Sequence, residues 1–186
     1  MQFIKKHFVI ISLAFVASIL VAIKILVPAP TTVSSTPSPI PKAQSWNGVV
    51  PGQTTIQNLP ESIGKSEATL NQNGQTTYEV ERKGGGPPHE VITQNNTVEL
   101  VKDRVLSGNI STFKNNYGEP EGEYFGEHQS VGFKTYVWAK DGVAVVAHEK
   151  EGVIFEVWYF QPTTLQVFLS TWGKGLSIEP EQKSGY

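Results

Sequence analysis

Residues 163–174 read TTLQVFLSTWGK, and residues 54–65 read TTIQNLPESIGK. Aligned on the apolar residue after the two threonines, Leu165, Phe168, Trp172 and Gly173 fall at offsets 0, 3, 7 and 8, and Ile56, Leu59, Ile63 and Gly64 fall at the same offsets. A third copy, Ile110, Phe113, Tyr117 and Gly118, lies 54 residues after the first and 55 before the last. Offsets of 0, 3 and 7 bring three side chains onto one helical face. The glycine that follows suits the left-handed residue that closes a helix. Thr54 or Thr55, Asn109, and Thr163 or Thr164 are the N-cap candidates, and a period of this length marks internal repetition. The first copy is disturbed: Pro60 removes a backbone donor from the helix interior, and Asn58 with Glu61 reads as a fresh capping box. A short, kinked or split helix is expected there.

The intervals between the copies also correspond. Residues 76–82, 89–94 and 97–103 read as strands, separated by KGGGPP and by Asn95-Asn96. Residues 131–139, 143–148 and 152–160 read as strands separated by the tight-turn signals KDG and KEG. The expected fold class is therefore α+β, built as tandem α-βββ repeats in the order α-βββ-α-βββ-α over residues 46–175. One helix and three strands bury too little to stand alone, so the two units should share a sheet packed on the helices. Residues 176–186 have no core pattern and read as a flexible tail.

Upstream, residues 8–27 form an apolar run broken only by Lys24, long enough to cross a bilayer as one helix. Lys5 and Lys6 place residues 1–7 on the cytoplasmic side, and Lys24 lies where its stem can snorkel to the far interface. The competing reading is a cleavable signal peptide. The run is long for that, and no A-x-A site follows it. Residues 28–45, rich in Pro, Ser and Thr, read as a semi-rigid linker. The expected location is the cell membrane, single-pass, with the lipid bilayer engaged through residues 8–27 and the following domain outside the cytoplasm.

Composition excludes several chemistries. The chain has no cysteine, which removes disulfides, thiolate catalysis, cysteine-ligated zinc and a lipoprotein anchor. Residues 43–186 hold 11 Lys and Arg against 17 Asp and Glu, a net charge of −6. Such a surface repels phosphate backbones, so no nucleic-acid partner is expected. No nucleophile elbow, P-loop, dinucleotide fingerprint or HExxH motif occurs. His89-Glu90 and His148-Glu149 are strand neighbours that point to opposite faces and cannot jointly chelate one metal. A site of His128, His148 and Glu156 would have to be assembled in space. Gly84-Gly85-Gly86-Pro87-Pro88 lacks the helix and lysine of a phosphate cradle and reads as a strand-connecting loop. No cofactor, metal or catalytic residue is assigned.

Gly52, Thr54 and Gly64 in the first unit, and Gly118 and Pro120 of YGEP in the second, resemble the pattern of BamE-like (SmpA/OmlA-type) outer-membrane-assembly lipoproteins and of the tandem β-lactamase inhibitor protein fold. There a helical element ends in Gly-x-Pro and antiparallel strands follow. The resemblance covers about residues 46–175 and implies a module that binds another protein rather than an enzyme. The chain departs from the pattern in having no lipid-bearing cysteine and in placing Ser66 where proline stands.

Aromatic residues cluster in the second unit. By strand alternation Tyr136 and Trp138 share one face; Ile154, Trp158 and Phe160 share one face of their strand, and Phe155, Val157 and Tyr159 the other. Both faces are apolar. One covers the helices; the other is buried by the first unit, the last helix, a second copy or a foreign partner. The binding candidates are Tyr136, Trp138, His148, Ile154, Glu156, Trp158 and Phe160, with Glu149, Glu151 and Glu156 as an acidic rim. The expected function is non-catalytic protein binding through this sheet face, in envelope assembly or inhibition. The alternative is a carbohydrate- or peptide-binding module in which Trp138 and Trp158 stack on ligand. A hydrolase using His128 or His148 is a third class.

Overall fold

The computed structural model describes residues 44–59, 66–70, 74–126 and 132–180. The apolar run 8–27, its flanks and residues 181–186 lie outside the described residues. Among the described residues no helix is long and apolar enough to cross a membrane. The described residues hold eight strands: β1 (Ser66–Leu70), β2 (Thr76–Val80), β3 (His89–Gln94), β4 (Thr97–Asp103), β5 (Gly122–Tyr124), β6 (Phe133–Trp138), β7 (Val143–His148) and β8 (Ile154–Phe160). Helix α1 (Ile110–Tyr117) lies between β4 and β5, and α2 (Leu165–Thr171) follows β8. All eight strands join one antiparallel sheet in the order β1-β2-β3-β4-β8-β7-β6-β5. Two four-stranded meanders thus meet through their last strands, with Leu100 opposite Phe160 and Asp103 opposite Val157.

This corrects the expected tandem α-βββ organisation. Each meander has four strands, not three, and the first is not headed by an α-helix. Residues Ile56–Asn58 form a single 3-10 turn. It ends because Leu59 precedes Pro60: the proline ring disfavours α geometry in the residue before it, and Leu59 is extended at φ −62°, ψ 130°. Ile63 and Gly64 lie outside the described residues, as does the transmembrane helix that the expectation placed ahead of the repeats. The second and third copies do form helices. Asn109 caps α1 by accepting from the Ser111 amide at 3.0 Å, and Thr164 caps α2 by accepting from Val167. Their closing glycines act differently. Gly118 takes a positive φ of 79°, whereas Gly173 is required by close approach, since a Cβ there would stand 2.8 Å from the Phe168 ring.

Three apolar clusters cover the two sheet faces. On the first face, Ile110, Phe113 and Tyr117 of α1 pack on Tyr136, Trp138, Val143, Val145 and Val157. Beside them the N-terminal arm lays Trp46, Val49 and Leu59 over Val80, Val91, Val98 and Val101. On the second face, Leu165, Phe168, Leu169 and Trp172 of α2 cover Val137, Ala144, Val146, Trp158 and Phe160. Phe168 is fully buried, its ring 4.9 Å from Phe160 and 6.2 Å from Trp158. The segment after residue 175 is tied down at its start, because Ser177 exchanges two backbone hydrogen bonds with Phe125.

Truncating Phe168 to alanine should cost about 3–5 kcal/mol, while Val167→Ala on the exposed side of the same helix should change stability by less than about 0.5 kcal/mol. Urea unfolding followed by tryptophan fluorescence measures both, and equal losses would mean that α2 is wrongly docked.

Candidate functional site

Each residue expected to line an exposed aromatic face has a place in the structure. Tyr136, Trp138, Ile154, Glu156, Trp158 and Phe160 are all buried. Trp138 is 1% exposed, packed against Phe113 and Tyr117, with its indole N–H donated to Gly118 O at 2.9 Å. Trp158 is 9% exposed, between Phe168 and the ammonium of Lys102, which stands 5.2 Å over its ring. Neither indole face is open to a ligand in this conformation; the chain's own helices supply the cover. The seven residues are also split between faces. β8 carries a bulge at Phe155, since Val146 pairs with Glu156 but Ala147 with Ile154. One extra residue reverses the alternation, so Ile154 joins Tyr136 and Trp138 under α1, while Phe155 joins Trp158 and Phe160 on the other face. His148 is half-buried at the end of β7, where its Nδ1 accepts from the Glu151 amide and its ring meets Phe133 edge-on. His128 lies outside the described residues.

Charged groups gather instead where the two meanders join. Arg104, just past β4, sends one guanidinium nitrogen to Glu156 Oε2 and another to Glu90 Oε1 at 3.0 Å. Lys102 reaches Glu90 Oε2 at 3.2 Å. The Arg104 guanidinium also lies 5.7 Å over the Phe155 ring, a cation–π contact made possible by the bulge. Burial raises Glu156 above the ordinary carboxylate range, against the pull of Arg104 and Lys102. For Glu90 burial again works upward, but Lys102 and Arg104 together outweigh it and hold the carboxyl below its usual value. Arg104 Nε, Glu156 Oε1 and the Trp158 indole nitrogen are buried without a hydrogen bond of normal geometry, although the indole lies near enough to favour the Glu156 anion.

On the opposite face a cavity of about 480 Å³ opens beside Trp46. Its walls come from three segments: the N-terminal arm, the β2–β3 loop with Glu81, Arg82 and Lys83, and the end of β4. Trp46 and Val49 exchange both backbone hydrogen bonds across Asn47-Gly48, whose positive φ values of 47° and 84° make a two-residue hairpin turn. The turn holds the indole at 5.2 Å from the His89 ring. His89 Nδ1 stands 2.8 Å from Asp103 Oδ1 and 3.2 Å from the backbone N–H of Arg104. If that nitrogen carries a hydrogen it donates to Asp103; if it does not, it accepts from Arg104. Burial raises the Asp103 carboxyl, opposed by His89, by a hydrogen bond from Trp46 and by the charge of Arg82.

A one-residue bulge positions this pair. Gln94 pairs with Thr97 and Thr93 with Val98, but Ile92 pairs with Leu100. Without the extra residue, Lys102 and not Asp103 would come level with His89. Neither His89 nor Asp103 was singled out from the sequence as a site residue, since the bulge leaves no mark in the hydrophobic pattern. Trp46-Asn47-Gly48-Val49 did carry a legible hairpin signal. Among the described residues no hydroxyl or thiol lines the cavity, and no three His, Asp or Glu side chains are grouped to hold a metal. Comparison with known protein families, with characterised proteins and with solved structures finds no match.

The Glu90 shift has a definite sign. A carboxyl held below its unfolded value contributes stability at neutral pH that is lost as pH falls through its folded value. Wild type should therefore exceed Glu90→Gln by about 1 kcal/mol at pH 7, with the gap closing below about pH 4. Paired unfolding curves across that range measure it, and a gap that widened in acid would overturn the assignment.

Proposed function

We propose that this chain is a membrane-tethered, extracytoplasmic module that binds another protein and has no catalytic centre of its own. The observation that carries the reading is the cavity beside Trp46. It sets Arg82 and Lys83, which make no ion pair with an acidic side chain among the described residues, beside the His89–Asp103 pair. Arginine side chains at a concave surface are among the groups that anchor protein partners. The tether rests on the apolar run 8–27 with Lys5 and Lys6 before it. The likeness to BamE-like and tandem inhibitor patterns adds envelope assembly or inhibition as the setting. Docking shifts from the aromatic residues of β6 and β8 to the cavity, because the former are covered by α1 and α2.

A photo-crosslinking amino acid placed at Lys83 of the full chain, expressed in its native host, should yield one discrete protein adduct. The same group at Lys174, beyond α2, should yield none. Protease added to right-side-out vesicles should digest residues 46–180. Absence of an adduct at Lys83, Lys174 and Glu123 alike would remove the protein-binding reading, and protection from external protease would remove the topology.

A further inference from the structure

We infer that the cavity beside Trp46 takes an acidic segment of the partner chain, its carboxylates pairing with Arg82 and Lys83 while an apolar side chain lies against the exposed Leu106. The inference rests on the protein-binding reading and names the chemistry of the bound segment. Residues 43–186 carry −6 overall, yet the charges left to a ligand here are mainly positive. Arg104 is committed to Glu90 and Glu156, and His89 and Asp103 face each other. Among the described residues Arg82 and Lys83 make no ion pair with an acidic side chain, and Glu81 is the single unpaired carboxylate beside them. On an acidic domain such a spot selects an anionic partner.

Backbone geometry fits an extended guest. Lys83 leads into Gly84, Gly85 and Gly86, all at positive φ. At Gly84 and Gly85 nothing stands within 4 Å of the place a Cβ would take, so no packing demand explains them and the loop's main chain is open to close approach. At the other wall, Leu106 follows the lining residue Val105. It holds a positive φ of 49° while its side chain is 42% exposed. A left-handed leucine costs about 1 kcal/mol, and this one presents an apolar side chain to solvent.

The test is selection of binders from a random hexapeptide library by the full chain, with inorganic phosphate and free glutamate as small-anion competitors. The selected peptides are expected to be enriched in Asp and Glu over the input, to contain an apolar residue, and to lose at least about tenfold in affinity for Arg82→Glu/Lys83→Glu, which is 1.4 kcal/mol or more. Val167→Ala should bind as wild type does. Peptides without acidic enrichment, peptides indifferent to the double charge reversal, recovery of no binder, or full displacement by millimolar phosphate would each overturn the proposal. An adduct at Lys83 in the crosslinking experiment would meanwhile leave the protein-binding reading standing, so the two failures are separable.

Discussion

The guanidinium of Arg104 is the contact on which this architecture turns. It sits where the two meanders meet, holding Glu90 of β3 and Glu156 of β8 at once. Only four residue pairs join β4 to β8, from Leu100–Phe160 to Asp103–Val157. Removing the buried Glu156 from its pair with Arg104 would cost more than losing the part-exposed Glu90, about 3–5 kcal/mol for a fully buried pair, so the triad penalises slippage of one meander along the other. Its net contribution against a well-packed apolar replacement is smaller, because burial opposes both carboxylates. Its effect is on register. With Arg104 fixed, its backbone N–H is placed beside His89, and the cavity wall is placed with it.

The two β-bulges extend the same logic. In β8 the extra residue brings the Phe155 ring onto the face of Glu156 and Trp158, beneath the Arg104 guanidinium. In the β3–β4 hairpin the extra residue brings Asp103 level with His89. Bulges bend and re-aim a strand at the cost of local pairing. Here both adjoin the seam, one in the β3–β4 hairpin and one in the β7–β8 pair. The aromatic residues of β6 and β8 fill the interior between sheet and helices, and the cavity is walled by the arm, the β2–β3 loop and the end of β4.

Much of the sheet was legible from periodicity and turn residues. The spans 89–94, 97–103 and 143–148 coincide with β3, β4 and β7, because alternation of branched apolar residues and the turns at Asn95-Asn96 and Asp141-Gly142 mark both ends. β1 and β5 escaped notice: Ser66–Leu70 has no β-branched residue except Thr69, and Gly122–Tyr124 is too short to show a period. The repeated helix offsets held for α1 and α2 but not at Ile56, where the proline noted in the sequence limits the helix to one turn. The site was far less visible. Trp46 was passed over although the Asn-Gly turn after it carries a hairpin signal, and His89, Asp103 and Arg104 come together only through pairing registers that a hydrophobic pattern does not encode.

Native-state hydrogen exchange on the full chain addresses the seam most directly. Amides of residues 98–103 and 157–160 should be among the slowest and should open together with those of β7, in one cooperative unfolding of the sheet. If the amides of β2, β3 and β4 exchanged through a lower-energy opening that left β6–β8 protected, the meanders would be independent units, and the Arg104 junction would not hold them together.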